Sequence, residues 1–154
     1  MNRQPLTVIH RTAGVVAFLT IAAFFSSTVY SEFFGDQALV VQVKHAILWC
    51  LPLLIGSMML TGLSGNKLYP AKGKGVMGRK QMRMKLAAMN GTLVMLPAAV
   101  FLFFKASAGE FDAYFWTVQG IELVGGALNL SLIGLNIRDG LSLKKAKQPR
   151  QQAA

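Results

Sequence analysis

The sequence predicts an all-α protein, a four-helix transmembrane bundle with its N- and C-termini cytoplasmic. Three observations lead there: four long runs almost free of charge, a composition too apolar for a soluble domain, and a lopsided distribution of lysine and arginine. Of 154 residues, 53% are hydrophobic and 14% charged, against roughly 45–50% and 25% in soluble domains. The length allows one domain, taken as residues 1–143, followed by a basic tail over 144–154. The tail has the charge and glutamine content of a disordered end.

About 20 apolar residues at 1.5 Å rise cross the hydrocarbon of a bilayer. Thr12 to Ser31 meets that length without a charge, and so does Ala46 to Asn66, with Lys44 and His45 at its leading edge. The third run, Leu86 to Phe104, is bounded by Lys85 and Lys105, and the fourth, Ala113 to Ile137, is broken only by Glu122. Helices are expected near 8–33, 38–64, 79–105 and 112–138. Pro52 and Pro97 fall inside the second and third, where bilayer helices tolerate proline better than soluble ones do. The first run is too long for the apolar core of a signal peptide and is followed by no clear cleavage site, so it reads as a retained span.

Orientation follows from the cations. Fourteen of the sixteen lysines and arginines lie before the first span, between the second and third, or after the fourth. Glu32, Asp36, Glu110 and Asp112 lie on the other side. The termini and the middle loop are therefore expected in the cytoplasm and the two acidic loops outside, in a multi-pass protein of a bacterial inner membrane. The basic loop carries Lys67, Lys72, Lys74, Arg79, Lys80, Arg83 and Lys85, with an irregular glycine-rich start that turns helical near Arg79. Positive-inside bias explains these charges. They equally suit anionic lipid head groups at the cytoplasmic face, or a soluble partner. Because they are spread between apolar runs and form no single face, nucleic acid is not expected.

Polar residues within the spans carry the most information, because each is costly in oil unless paired. Glu122 lies nine residues into the fourth span, hence about 13 Å deep. Gln119, Glu122, Gly126, Asn129, Ile133 and Asn136 follow at alternating spacings of 3 and 4, which puts a polar and small stripe on one helix face. Lys44 and His45 enter the second span from the same side at similar depth. A Glu122 pair with Lys44 or His45 is expected, with Asn129 on the same face. Two readings stand open: a structural polar lock, or a proton, ion or redox-cofactor site. Gly120, Gly125, Gly126 and Gly134 read as close-packing surface. The methionines are scattered without a copper-binding spacing and read as packing, and the single cysteine, Cys50, reads as a core residue without a disulfide partner. No nucleophile–base pair, metal-ligand spacing or phosphate-binding loop appears, so no catalytic constellation points to an enzyme.

Thr7-Val8-Ile9-His10-Arg11-Thr12-Ala13-Gly14 opens the first span. It resembles the opening motif of the cytochrome b anchor subunit of succinate dehydrogenase: serine, aliphatic residues, His-Arg, any residue, a small residue, glycine. The resemblance covers these eight residues. It implies a quinone-type site at the cytoplasmic surface, with Thr7 and Arg11 as contacts and His10 beside them. Arg83, Asn90 and Asn136 are expected around the same opening. The family's haem-ligating pattern, Gly-x-Arg-His in the second helix, is absent, which leaves His45 as the candidate ligand for a b-type haem. Bottom-up, Arg11 and His10 also suit simple anchoring at head-group level.

Three functions follow as expectations. The first is a quinone- or haem-associated subunit of an electron-transfer system. The second is a proton-coupled small transporter using Glu122. The third is a non-catalytic scaffold or assembly factor that presents the basic loop to a partner. Other membrane subunits, or a second copy of the chain in a homo-oligomer, are expected as partners in the membrane.

Overall fold

A computed structural model describes the backbone of residues 3–68 and 75–152 and the side chains of residues 4–68 and 75–142. Helices α1 (Arg3–Phe34) and α2 (Gln37–Leu68) are followed by α3 (Val76–Asn90), a π-helical turn (Gly91–Met95), α4 (Leu96–Ser107) and α5 (Ala113–Gln152). Four segments among them are long and apolar enough to cross a membrane: Gln4–Phe34, Gln37–Leu68, Val76–Ser107 and Ala113–Ser142. The first three contain the expected helices and extend past them, and the fourth starts one residue later than expected and runs past its expected end. The fourth continues as helix to Gln152, into the stretch read as a disordered tail. The entry to the third comes at Val76, three residues before Arg79, on a glycine, Gly75, at φ +66°. That left-handed backbone suits a residue without a side chain.

The acidic ends are tightly turned. Gly35 and Asp36 alone separate α1 from α2, and Asp36 Oδ1 accepts the Leu39 N–H at 2.8 Å. Asp112 Oδ1 accepts the Phe115 N–H at 3.0 Å in the same way. Both aspartates are N-caps, each satisfying one of the donors a helix start leaves without an intrahelical partner. Gly109, at φ +71°, makes the turn between α4 and α5.

The third span is interrupted by the π turn. Pro97 has no N–H to give to the carbonyl four residues back, and its ring crowds that carbonyl. The chain widens just before it, and the Leu96 N–H reaches back five residues to Gly91 O. The helix continues in a new rotational register without a break.

The spans pack in a ring. α1 lies against α2 and α5, α2 against α4, and both α3 and α4 against α5. The second and fourth spans therefore face each other across a diagonal. Two small apolar clusters fill the ring. Val40, Leu102, Ala106 and Phe115 sit at the acidic end. Ile21, Ala87 and Ile133 sit toward the other end, with Phe18, Leu54, Met58 and Ile137 packed around them. Large apolar side chains point outward along the spans, among them Leu93, Val124 and Trp49, the last 82% exposed. A soluble protein would seldom leave so much contiguous apolar surface uncovered, whereas lipid satisfies it. Four helices long and apolar enough to span a membrane, with this surface, suggest a multi-pass membrane protein.

Two packing expectations fail here. Cys50 is exposed on the bundle surface and not in its core, because with four spans each helix keeps an outward face on which an apolar residue is equally at home in lipid. Gly120 also faces open space. Gly125, Gly126 and Gly134 do meet neighbours: a Cβ on Gly125 would lie 2.6 Å from Met95 Sδ, and those on the other two would touch Phe25 and Phe18.

Candidate functional site

The heptad stripe of α5 turns inward along its whole length. Gln119, Glu122, Asn129, Ile133 and Asn136 are all buried, as are Gly125 and Gly126. On α2 the inward positions are Val40, Lys44, Ile47, Leu51, Ser57, Thr61 and Ser64, so a lysine occupies a core position among aliphatic and hydroxyl residues. Lys44 is 1% exposed, among the largest fully buried side chains of the described residues.

Its ammonium reaches across the diagonal. Lys44 Nζ donates to Glu122 Oε2 at 2.6 Å and to Gln119 Oε1 at 2.5 Å. A neighbouring pair of helices would not need so long a side chain, while a diagonal pair does. Because an ammonium can only donate, the Gln119 amide must turn its oxygen to Lys44. Its Nε2 is then left buried without a partner among the described residues.

A third member was read from sequence only as an acidic residue on the outer side, at the end of the helix expected over 8–33. Glu32 sits in the last turn of α1, and both of its carboxylate oxygens are buried and without a hydrogen-bond partner among the described residues. It lies within electrostatic reach of Lys44 and Glu122. Helical side chains lean toward the helix N-terminus. For α2 and α5 that is toward the acidic end, and for α1, which runs the other way, it is away from it. Lys44 and Glu122 therefore rise toward the level to which Glu32 descends. Ser31 and Thr28 are buried on the same stretch of α1, the Ser31 hydroxyl donating to Thr28 O at 3.1 Å.

His45 is not part of this centre. It follows Lys44 by one residue, about 100° around the helix, and so cannot share its face. One ring nitrogen, Nε2, is hydrogen-bonded to Ser107 Oγ at 3.0 Å, and the ring packs on Phe103 with centroids 4.6 Å apart. Asn129 is on the same stripe as Glu122 but serves a different neighbour. Asn90, in the last turn of α3 before the π turn, gives its Nδ2 protons to Asn129 Oδ1 at 3.0 Å and to Gly125 O at 2.9 Å. This knot joins the third span to the fourth where the helix register changes.

At the basic end, His10 is held by α2. Its Nδ1 lies 3.0 Å from Thr61 O and 3.1 Å from Ser64 Oγ. A carbonyl only accepts, so Nδ1 carries the proton. Gly65 makes the approach possible, since a Cβ there would meet the imidazole at 3.0 Å. Arg11 is exposed, and Thr7 is half-buried one turn before it. Arg83 forms an ion pair with Asp139 at 2.8 Å, and Asn136 Nδ2 donates to Lys80 O at 3.0 Å. Asn90, expected beside them, belongs to the Asn129 knot. Of the basic loop, Lys67, Arg79 and Lys85 are exposed and Lys80 and Arg83 half-buried. Lys72 and Lys74 lie outside the described residues. At the acidic end, Lys105 bridges Glu110 at 2.6 Å and Asp112 at 2.7 Å. The Lys105 hydrogen bond and the Phe115 N–H hold the Asp112 carboxyl below the usual range.

Among the described residues, no three His, Cys, Asp or Glu side chains are grouped as a metal-binding set. No family model, curated protein or solved structure matches the chain.

Proposed function

We propose that this chain is a proton-coupled transporter of a small solute, working through the polar centre of Lys44, Gln119 and Glu122. The observation that carries the reading is the Lys44–Glu122 ion pair at 2.6 Å, with side-chain exposures of 1% and 8%, inside a bundle of apolar spans. Desolvating two charges costs several kcal/mol each in effect, which their attraction need not recover, so a buried pair is a poor stabilising device. Ionisable groups at such depth are more often part of an ion or proton path. A glutamate that exchanges its proton only when its ammonium partner moves could couple protonation to helix movement. The partner reaches across the diagonal, so its release would loosen the second span from the fourth.

The cation bias favours the orientation read from sequence, with the basic end in the cytoplasm of a bacterial inner membrane. Lys67, Arg79 and Lys85 would then meet anionic head groups there. The electron-transfer reading has less support. His10 is committed to α2, and exposed Arg11 fits a head-group anchor better than a quinone contact.

The test is reconstitution into sealed vesicles with a pH-sensitive dye inside. An imposed pH gradient should collapse faster with the wild-type chain than with Glu122→Gln. Equal rates for the two proteins and for empty vesicles would overturn the proposal. An absorption spectrum of the purified protein between about 400 and 560 nm checks the haem alternative, through the π–π* bands that an iron porphyrin would add.

A further inference from the structure

The polar centre carries an imbalance that a lysine–glutamate lock does not explain. Ionised, it holds two carboxylates, Glu32 and Glu122, and one ammonium, Lys44. Lys44 uses two of its three donors, on Gln119 Oε1 and Glu122 Oε2. Three buried polar atoms of this group have no hydrogen-bond partner among the described residues: Glu32 Oε1, Glu32 Oε2 and Gln119 Nε2. Buried polar groups are nearly always hydrogen-bonded, so orphans on residues that all share Lys44 as a neighbour in contact or in electrostatic reach call for an occupant. Gln119 is 2% exposed, and its amide orientation is set by Lys44, so its spare donor stays buried.

The orphans define what fits. A metal cation would need a cage of oxygens. The acceptors of Glu122 and Gln119 are already turned to an ammonium, and the spare Gln119 group is a donor, which repels a cation. A proton on Glu32 with water beside it fits these atoms better: water would accept from Gln119 Nε2 and donate to the unprotonated Glu32 oxygen, and the Glu32 O–H would donate to water in turn. One added proton also makes the centre neutral.

We propose that Glu32 is the second proton-binding carboxylate of this site, and that Lys44 is the charge the two carboxylates share. The inference rests on the proton-coupled reading of the Lys44–Glu122 centre. Two elements pack against α1, and the charged groups that act on Glu32 come one from each: Lys44 on α2 and Glu122 on α5. With the proton in place, Lys44 serves Glu122. When the Glu32 O–H bond breaks, its proton passes to a water, giving hydronium at the acidic end of the bundle. The electron pair stays on the carboxylate, which then competes for the third N–H of Lys44. Glu32 is two residues from the end of α1, so its proton has the shorter way out, and Glu122 the deeper position.

Two measurements on the full chain test this. Infrared difference spectroscopy in micelles should show the C=O stretch of a protonated carboxyl near neutral pH, absent from Glu32→Gln. In vesicles, Glu32→Gln should slow proton flux about a hundredfold, the scale of a lost proton-transfer group, as should Glu122→Gln. Flux lost in Glu122→Gln but unchanged in Glu32→Gln would overturn the assignment of Glu32 and leave the transport reading standing. No flux in the wild type would refute transport, and the infrared band would still decide whether Glu32 holds a proton. A band that survives Glu32→Gln, or is missing from the wild type, overturns the proposal. If Glu32→Gln does not fold, Glu32→Asp decides: a band that belongs to this residue must shift in frequency, and an unmoved band refutes the assignment.

Discussion

Replacing Lys44 by methionine keeps an unbranched chain of similar length and removes only the charge and its donors. In the folded bundle this strands Glu122 Oε2 and Gln119 Oε1, both of which take their hydrogen bond from Lys44. Removing one partner of a buried pair costs about 3–5 kcal/mol in soluble proteins. Within membranes, measured hydrogen-bond couplings are nearer 0.6–2 kcal/mol, since the unfolded chain finds other partners in the bilayer. Lys44 is 1% exposed and Glu122 is buried, so stranding dominates, and a loss of about 3 kcal/mol is expected. Glu122→Leu should cost about as much by stranding the ammonium. The double variant, Lys44→Met with Glu122→Leu, leaves no buried charge in the pair and replaces polar groups by apolar ones of similar volume. Such replacements are often neutral or stabilising. It should therefore be more stable than either single variant, with a coupling of at least about 2 kcal/mol. Equilibrium unfolding in mixed micelles, followed by far-ultraviolet circular dichroism, gives the three differences. Additivity within about 0.5 kcal/mol, the scatter seen for independent sites, would refute the claim that the two side chains act as one unit.

Three further outcomes follow from the same geometry. The Asp112 carboxyl is held down by Lys105 and by the Phe115 N–H. Its contribution is present above its unfolded value near about 4 and is lost as pH falls through the lower folded value, so the start of α5 should fray only in acid. Amide exchange over residues 113–116 should rise there in the wild type, and already at neutral pH in Asp112→Ala. Gly125→Leu forces a side chain into the space of Met95 and should cost about 1–3 kcal/mol in the unfolding assay. Gly120→Leu, facing open space, should cost nothing comparable. Arg11→Leu should leave quinone binding unchanged, since Arg11 is exposed while His10 is turned into α2. A lost quinone titration would revive the electron-transfer reading.

The four spans were legible because length, charge and hydropathy are one-dimensional quantities. A run of about twenty uncharged residues has few alternatives to crossing a bilayer. The inward face of α5 was legible for a similar reason, because a 3–4 alternation of polar and small residues needs no partner to be recognised. The π turn was not. Pro97 marked the place, but whether a membrane helix answers a proline by a kink, a lost bond or a widened turn depends on its neighbours, here Asn90 tied to Gly125 and Asn129. Cys50 and Gly120 were misplaced because hydropathy does not distinguish a protein interior from lipid.

The centre itself shows where sequence reasoning stops. Depth in the membrane can be counted along a chain, and it brought Lys44, His45 and Glu122 to one level. Direction around a helix axis requires knowing where the other helices stand. Lys44 and His45 are adjacent in sequence, yet one spans the diagonal to α5 and the other turns to Ser107 on α4. Glu32 lies inside the helix expected over 8–33 but was counted with Asp36, Glu110 and Asp112 as one more acidic group on the outside, whereas in the last turn of α1 its carboxylate oxygens are buried. The lean of helical side chains toward the N-terminus then decides which residues meet. A carboxylate near the acidic end of α1, which runs toward that end, should be tested against groups placed deeper on α2 and α5. That rule brings Glu32 to Lys44 and Glu122, although the three differ in their distance from the helix ends.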